Sequence, residues 1–248
     1  MLTNKTLLII FSLIYVVGLA FLYFSKVRMN NSENRIYKIM IITNIIGLIL
    51  QLCCDYISYR NDILPHIISD VIYRLYMIYF IIFINLMLLY LMTISSKTLK
   101  KTFIIIDTIL CIVEILIVSL SSYELYSDVS NKVYYTFGPA IDLTFIISGI
   151  ICVFMVLILI YNFKKISKKK SIPIYLLIIS GTVSALIQHS NPEILIITSM
   201  ESFICCLMYF TIENPDMKML NEMTLARNQA EKANRAKSDF LSSMSHEI

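Results

Sequence analysis

The sequence has no tryptophan, only three histidines, and five glycines and five prolines in 248 residues. Charge is scarce too: charged residues make up 15%, against roughly 25% in a soluble domain. Each shortage excludes something. The glycines are Gly18, Gly47, Gly138, Gly149 and Gly181, all in or beside apolar runs, so no glycine-rich phosphate loop can be assembled. The six cysteines (Cys53, Cys54, Cys111, Cys152, Cys205 and Cys206) lie in apolar runs, with no CxxC and no Cys/His metal spacing. They read as small buried hydrophobes, and no metal site is expected. The lysines and arginines fall in separate short loops rather than on one face, which argues against a nucleic-acid partner.

What fills the chain instead is hydrocarbon. Hydrophobic residues make up 58%, and the mean hydropathy is +0.75. Seven apolar segments emerge: Thr6–Phe24, Ile36–Cys54, Leu75–Ser95, Thr102–Ser121, Pro139–Phe163, Ile172–Gln188 and Ile194–Ile212. Their length suits a helix crossing ~30 Å of hydrocarbon. They are continuous rather than alternating, which favours helices over a β-barrel. The first segment is too long and too evenly apolar for a signal peptide and lacks an A-x-A site, so it reads as an uncleaved span. The expected fold is all-α: a polytopic bundle of seven transmembrane helices over 1–212, followed by a polar tail.

Basic residues set the expected orientation. Lys26, Arg28, Arg35, Lys38, Lys97, Lys100, Lys101, Lys164, Lys165, Lys168, Lys169 and Lys170 all fall in the odd-numbered loops. Lys5, Arg60 and Lys132 fall on the other side. The bias predicts a multi-pass protein of the cell membrane with its N-terminus outside and its tail in the cytoplasm. Without tryptophan, tyrosine should supply the interfacial belt. Tyr56, Tyr59, Tyr73, Tyr76, Tyr123, Tyr126, Tyr134 and Tyr135 cluster toward the expected outer face, as a belt or as a ligand vestibule. Tyr23, Tyr37, Tyr90, Tyr161, Tyr175 and Tyr209 fall toward the inner one.

Ionisable residues inside such segments are costly and face the bundle interior. Asp107 and Glu114 are seven residues apart and share a face. Glu201 sits mid-segment, and Asp142 lies near an outer end. Asp70 and Arg74 are four apart and suit an ion pair. Asn44 and Gln51 share a face of the second segment. Together they predict either a polar cavity for a small ligand or proton, or hydrogen bonds that hold the bundle.

After Ile212 the composition turns polar. Asn214, Pro215 and Asp216 make a good helix start. Met223, Ala226, Ala230, Ala233, Lys237, Phe240 and Met244 then follow a 3-4 spacing, a heptad stripe weakened by alanine and Lys237. That predicts a cytoplasmic coiled-coil linker over 213–235 that packs as a parallel homodimer. Farther on, Phe240, Leu241, Met244 and Ile248 form one apolar stripe and His246 points to the opposite side.

The run "AEKANRAKSDFLSSMSHEI" resembles the phosphoacceptor helix of sensor histidine kinases. The match is carried by Ala233, Asn234, Ala236, Lys237, Ser238, Phe240, Leu241, Met244, Ser245, His246, Glu247 and Ile248. The run "ENPDMKML" is similar to the junction in bacterial histidine kinases with a seven-helix membrane sensor. The resemblance covers the tail closely and the membrane part by span count alone. It implies that His246 accepts a phosphoryl group from ATP, with Mg, and that Glu247 acts as general base. It also implies a response regulator as partner and a stimulus sensed by the bundle. The family motif continues with Arg-Thr-Pro, a second helix and an ATP-binding domain, none of which follows Ile248. Segment 236–248 is therefore expected to be the start of a phosphoacceptor helix, truncated within its motif and inactive alone. A transporter or permease with an incidental tail is the other expectation, weakened by the lack of internal repeats. A truncated non-catalytic receptor is a third.

Overall fold

The computed structural model describes residues 4–25, 31–59, 66–95, 101–128, 133–164, 166, 168–192, 194–211 and 215–246. Several basic loop residues (Lys26, Arg28, Arg60, Lys97, Lys100, Lys132 and Lys165) lie outside them, as do Asn214, Glu247 and Ile248. Side chains are described over a narrower set that omits Lys5, Tyr59, Tyr134, Lys168–Lys170, 215–218 and 240–246.

Helices dominate. They are α1 (Asn4–Phe24), α2 (Ser32–Tyr59), α3 (His66–Ser95), α4 (Lys101–Leu120), α5 (Pro139–Tyr161), α6 (Lys168–Ser190), α7 (Ile197–Thr211) and α8 (Pro215–His246). Six of these, α1 to α6, are long and apolar enough to cross a membrane. Their outer faces support the same conclusion. On α4 only Asp107 and Val118 are buried, while Ile105, Ile109, Ile112 and Leu116 are exposed. A soluble domain rarely leaves so continuous an apolar surface bare. This is a helical membrane protein.

Helix α7 differs from the expected seventh span. It runs for 15 residues, and 194–196 are not helical. At ~1.5 Å per residue it spans only ~22 Å, short of the ~30 Å hydrocarbon core. It is a central helix all the same. Thr198, Ser202, Ile204, Cys205 and Met208 are all nearly inaccessible, and α1, α2 and α6 pack around it.

Helices α2 and α3 form the most extensive contact in the bundle. Gly47 makes it possible: a Cβ there would fall on the ring of Tyr79. The core on one side of that seam gathers Tyr23, Tyr37, Met40, Leu48, Phe83, Met87, Tyr90 and Met208. Tyr23 stacks edge-on against Tyr37 and Tyr209. This corrects the belt expected from the sequence. Tyr23, Tyr37, Tyr73, Tyr90 and Tyr209 are buried, and three of the hydroxyls find partners inside: Tyr37 donates to the Cys205 carbonyl at 2.6 Å, Tyr23 to the Asn34 carbonyl at 3.0 Å, and Tyr73 shares a bond of 2.8 Å with the Ser58 hydroxyl. Tyr56, Tyr126, Tyr161 and Tyr175 are exposed as a belt requires.

Between α4 and α5 the chain forms an unexpected hairpin. Strands β1 (Glu124–Asp128) and β2 (Val133–Phe137) pair antiparallel, with Tyr126 opposite Tyr135. Those two rings stack at 4.8 Å, a cross-strand aromatic pair that stabilises the ladder. The hairpin closes onto α5 through Gly138, whose φ of 110° favours glycine, with Pro139 at the first helical position. The amide of Ala140 reaches back to the Ser122 carbonyl at 3.0 Å.

Candidate functional site: a buried polar column and an exposed terminal helix

Polar residues of α2, α3 and α7 meet in the bundle interior. Glu201 on α7 is 8% exposed. Its Oε2 accepts a hydrogen bond from the Tyr79 hydroxyl on α3 at 2.5 Å. That hydroxyl accepts from Asn44 Nδ2 on α2 at 3.1 Å. Asn44 Oδ1 in turn accepts from Ser202 Oγ at 2.8 Å. Tyr76 and Thr198 share a bond of 3.0 Å beside this chain. Toward the loop before α7, Gln51 Nε2 donates to the Leu195 carbonyl at 3.3 Å.

Local sequence explains the geometry. Asn44 and Gln51 lie two helical turns apart and present one face of α2. Tyr76 and Tyr79 are three apart, hence neighbours on α3. Thr198, Glu201 and Ser202 fall within four residues of α7 and face both helices. Gly47 provides the space in which the Tyr79 ring lies against α2. The sequence pointed to Asn44, Gln51 and Glu201, whereas Tyr76 read as a belt residue and Tyr79, Thr198 and Ser202 were missed. The available signal was the i, i+3 and i, i+4 spacing of hydroxyls on segments already carrying Asn, Gln and Glu.

The other ionisable residues sit elsewhere. Arg74 Nε bonds both carboxylate oxygens of Asp70, at 3.0 and 3.1 Å. Its Nη1 donates to the carbonyls of Ser119, at 2.5 Å, and Ser121, at 3.1 Å. Its guanidinium lies 5.4 Å from the centre of the Tyr123 ring. Arg74 thereby ties α3 to the end of α4 and the base of the hairpin. Burial raises the Tyr123 phenol well above its ordinary range, and its hydrogen bond to Asp70 and the Asp70 charge add to this.

Asn85 Nδ2 donates to Glu114 Oε2 at 2.7 Å, joining α3 to α4. Asp107 is buried two turns earlier on α4. Asp142 is exposed in the first turn of α5, where a carboxylate suits the helix dipole. The six acidic and basic residues singled out in the membrane part therefore do not form one cluster. Among the described residues no three His, Cys, Asp or Glu side chains gather as a metal site requires.

The tail is a single helix. α8 runs 32 residues without a break, about 48 Å. Every described side chain from Met219 to Asp239 is exposed, including Leu220, Met223 and Leu225. Arg227 and Glu231 form an i, i+4 ion pair at 2.9 Å on its surface. His246 is the last residue of the helix; its side chain and the whole of Glu247 lie outside the described set.

The architecture defines a class, a helical membrane protein with a long polar helix appended. Comparison with known proteins adds no relative: no family model, no curated protein and no solved structure matches the chain.

Proposed function

We propose that this chain is the membrane sensor portion of a two-component histidine kinase, with His246 as phosphoacceptor and Glu247 as its general base. The carrying observation is α8, an unbroken helix beginning four residues after α7 and ending at His246, with its described side chains in solvent. A phosphoacceptor must be reached by an ATP-binding domain, and an exposed helix permits that. Apolar Met223 and the alanines of the 3-4 stripe lie bare on this helix, which supports pairing with a second copy through a weak, repackable seam.

In this scheme α7 crosses or enters the bilayer as the seventh helix, the N-terminus is outside and α8 is cytoplasmic, as the basic loops favour. A stimulus at the bundle shifts α7, and the shift passes along α8 as a change of packing in the dimer. ATP with Mg supplies the phosphoryl group and a response regulator receives it. Glu247 draws the proton from one ring nitrogen of His246 while the other attacks the γ-phosphorus, whose bond to the β,γ-bridging oxygen breaks so that ADP leaves.

The test uses the product of the complete reading frame containing this chain, in native membranes with γ-labelled ATP. Label that is acid-labile, base-stable and lost in His246→Gln supports the proposal. Acid-labile label retained in that variant refutes the site.

A further inference from the structure

The buried column contains a chain of donors with one direction. Ser202 donates to Asn44, Asn44 donates to Tyr79, and Tyr79 donates to Glu201, so every proton points toward the carboxylate. Aligned bonds of this kind polarise one another and stabilise a negative charge at their end. The same heavy atoms support the opposite polarity. A protonated Glu201 donates to the Tyr79 oxygen, and Tyr79 donates to the carbonyl of Asn44 once that amide is turned about. The Asn44 amide then donates to Ser202 Oγ. Ser202 donates instead to the Thr198 carbonyl, which lies at 2.8 Å, the same distance as its bond to Asn44. One hydroxyl proton with two equidistant acceptors gives the chain a choice at its far end.

Among the described residues no cation faces the carboxylate. On α1 the only titratable side chain between Lys5 and Tyr23 is Tyr15, whose hydroxyl is bound to the Ser199 carbonyl. On α2 none lies between Lys38 and Cys53, and on α6 none between Tyr175 and His189. On α3 the facing groups are Tyr76 and Tyr79, and on α7 the neighbouring thiol is Cys205. Among the described residues such a carboxylate meets no countercharge, and a proton can neutralise it.

We infer that Glu201 is a proton-binding site, and that its occupancy reverses the hydrogen-bond chain joining α2, α3 and α7. The reaction is a simple one: a proton from hydronium forms an O–H bond to the carboxylate and releases water. Gln51 ties the column to the loop before α7 through the Leu195 carbonyl. Among the described residues, Gln51 Oε1 and Ser199 Oγ are buried without a hydrogen-bond partner, and buried polar atoms of that kind take water. The inference does not depend on the kinase proposal. It concerns the bundle alone, and neither test decides the other.

The experiment is a pH titration of the full chain in lipid nanodiscs, followed by the infrared carbonyl band of protonated carboxyl groups. Glutamate carrying ¹³C at its carboxyl separates its band from aspartate. Of the titrating glutamate band, to which nine residues contribute, one component should be lost in Glu201→Gln and kept in Glu114→Gln. Tyr79→Phe removes the donor to the anion and should raise apparent proton affinity about tenfold or more. A band absent or constant between about pH 4 and 9 overturns the inference. So does a band that Glu201→Gln leaves unchanged, or one with no component that moves in Tyr79→Phe. If Glu201→Gln loses its helix content, the shift in Tyr79→Phe decides alone.

Discussion

Replacing Gly47 by alanine adds one methyl group in the place where the bundle has least room for it. The new Cβ would fall on the Tyr79 ring, which is 3% exposed and bonded at its hydroxyl to both Asn44 and Glu201. Two effects oppose each other. Alanine favours the helix by about 1 kcal/mol over glycine. Displacing a packed ring costs about 1–3 kcal/mol, and two strained or broken hydrogen bonds cost about 0.5–1.5 kcal/mol each. The net expectation is a loss of about 1–5 kcal/mol. Unfolding in detergent micelles, followed by helix circular dichroism, measures it, and the method suits a chain without tryptophan. The decisive comparison is the same substitution in a Tyr79→Ala background. There the collision is gone and Gly47→Ala should stabilise by about 0.5–1 kcal/mol. A cost that is equal in both backgrounds, or a stabilisation in the otherwise unchanged chain, would refute the close approach of α2 and α3 on which the polar column rests.

Two further outcomes follow from the ends of the molecule. The Tyr123 phenol is raised above its ordinary value near 10, so the folded state holds that proton more tightly than the unfolded one. Its stabilisation is complete below about pH 10 and is lost as the pH rises toward the folded value. Alkaline unfolding should therefore steepen above that pH, and Tyr123→Phe should remove the added steepness; an unchanged profile contradicts the burial of the ring against Asp70 and Arg74. In the tail, Ala230→Leu places a larger apolar side chain in the proposed seam. It should strengthen self-association of the detergent-solubilised chain about tenfold or more in sedimentation, while Glu231→Gln, off the seam, should not. Equal effects of the two would remove the dimer seam.

The membrane character was legible in runs such as Pro139–Tyr161 and Lys101–Leu120, because apolar length is a one-dimensional property. The ends were less legible. Helix α3 begins at His66 rather than Leu75, since Asp70 and Arg74 are polar yet satisfied by each other and by the carbonyls of Ser119 and Ser121. Tyrosine misled for a similar reason. A phenol at headgroup depth and a phenol bonded inside the core look identical in sequence, and Tyr37, on the Cys205 carbonyl, and Tyr73, on the Ser58 hydroxyl, prove to be of the second kind. The hairpin had a signal, two tyrosine-rich runs around a polar turn, but it was short enough to pass as a loop. Glu201 stood out because a lone carboxylate in an apolar run is conspicuous. Asn44 stood out as well, but its link to Glu201 did not, because Tyr79, Asn44 and Ser202 come together only through the packing of three helices. The tail was the reverse case: its continuous helix was legible from capping and composition, while the role of His246 rests on resemblance.

That role is settled most directly by locating the phosphate. The product of the complete reading frame is incubated with ATP and Mg, digested with trypsin under neutral conditions, and the peptide beginning at Ser238 is sequenced by mass spectrometry. The account predicts one phosphate on His246, absent in His246→Gln. Phosphate on Ser242, Ser243 or Ser245, or a bare peptide while another histidine carries the acid-labile group, would contradict it.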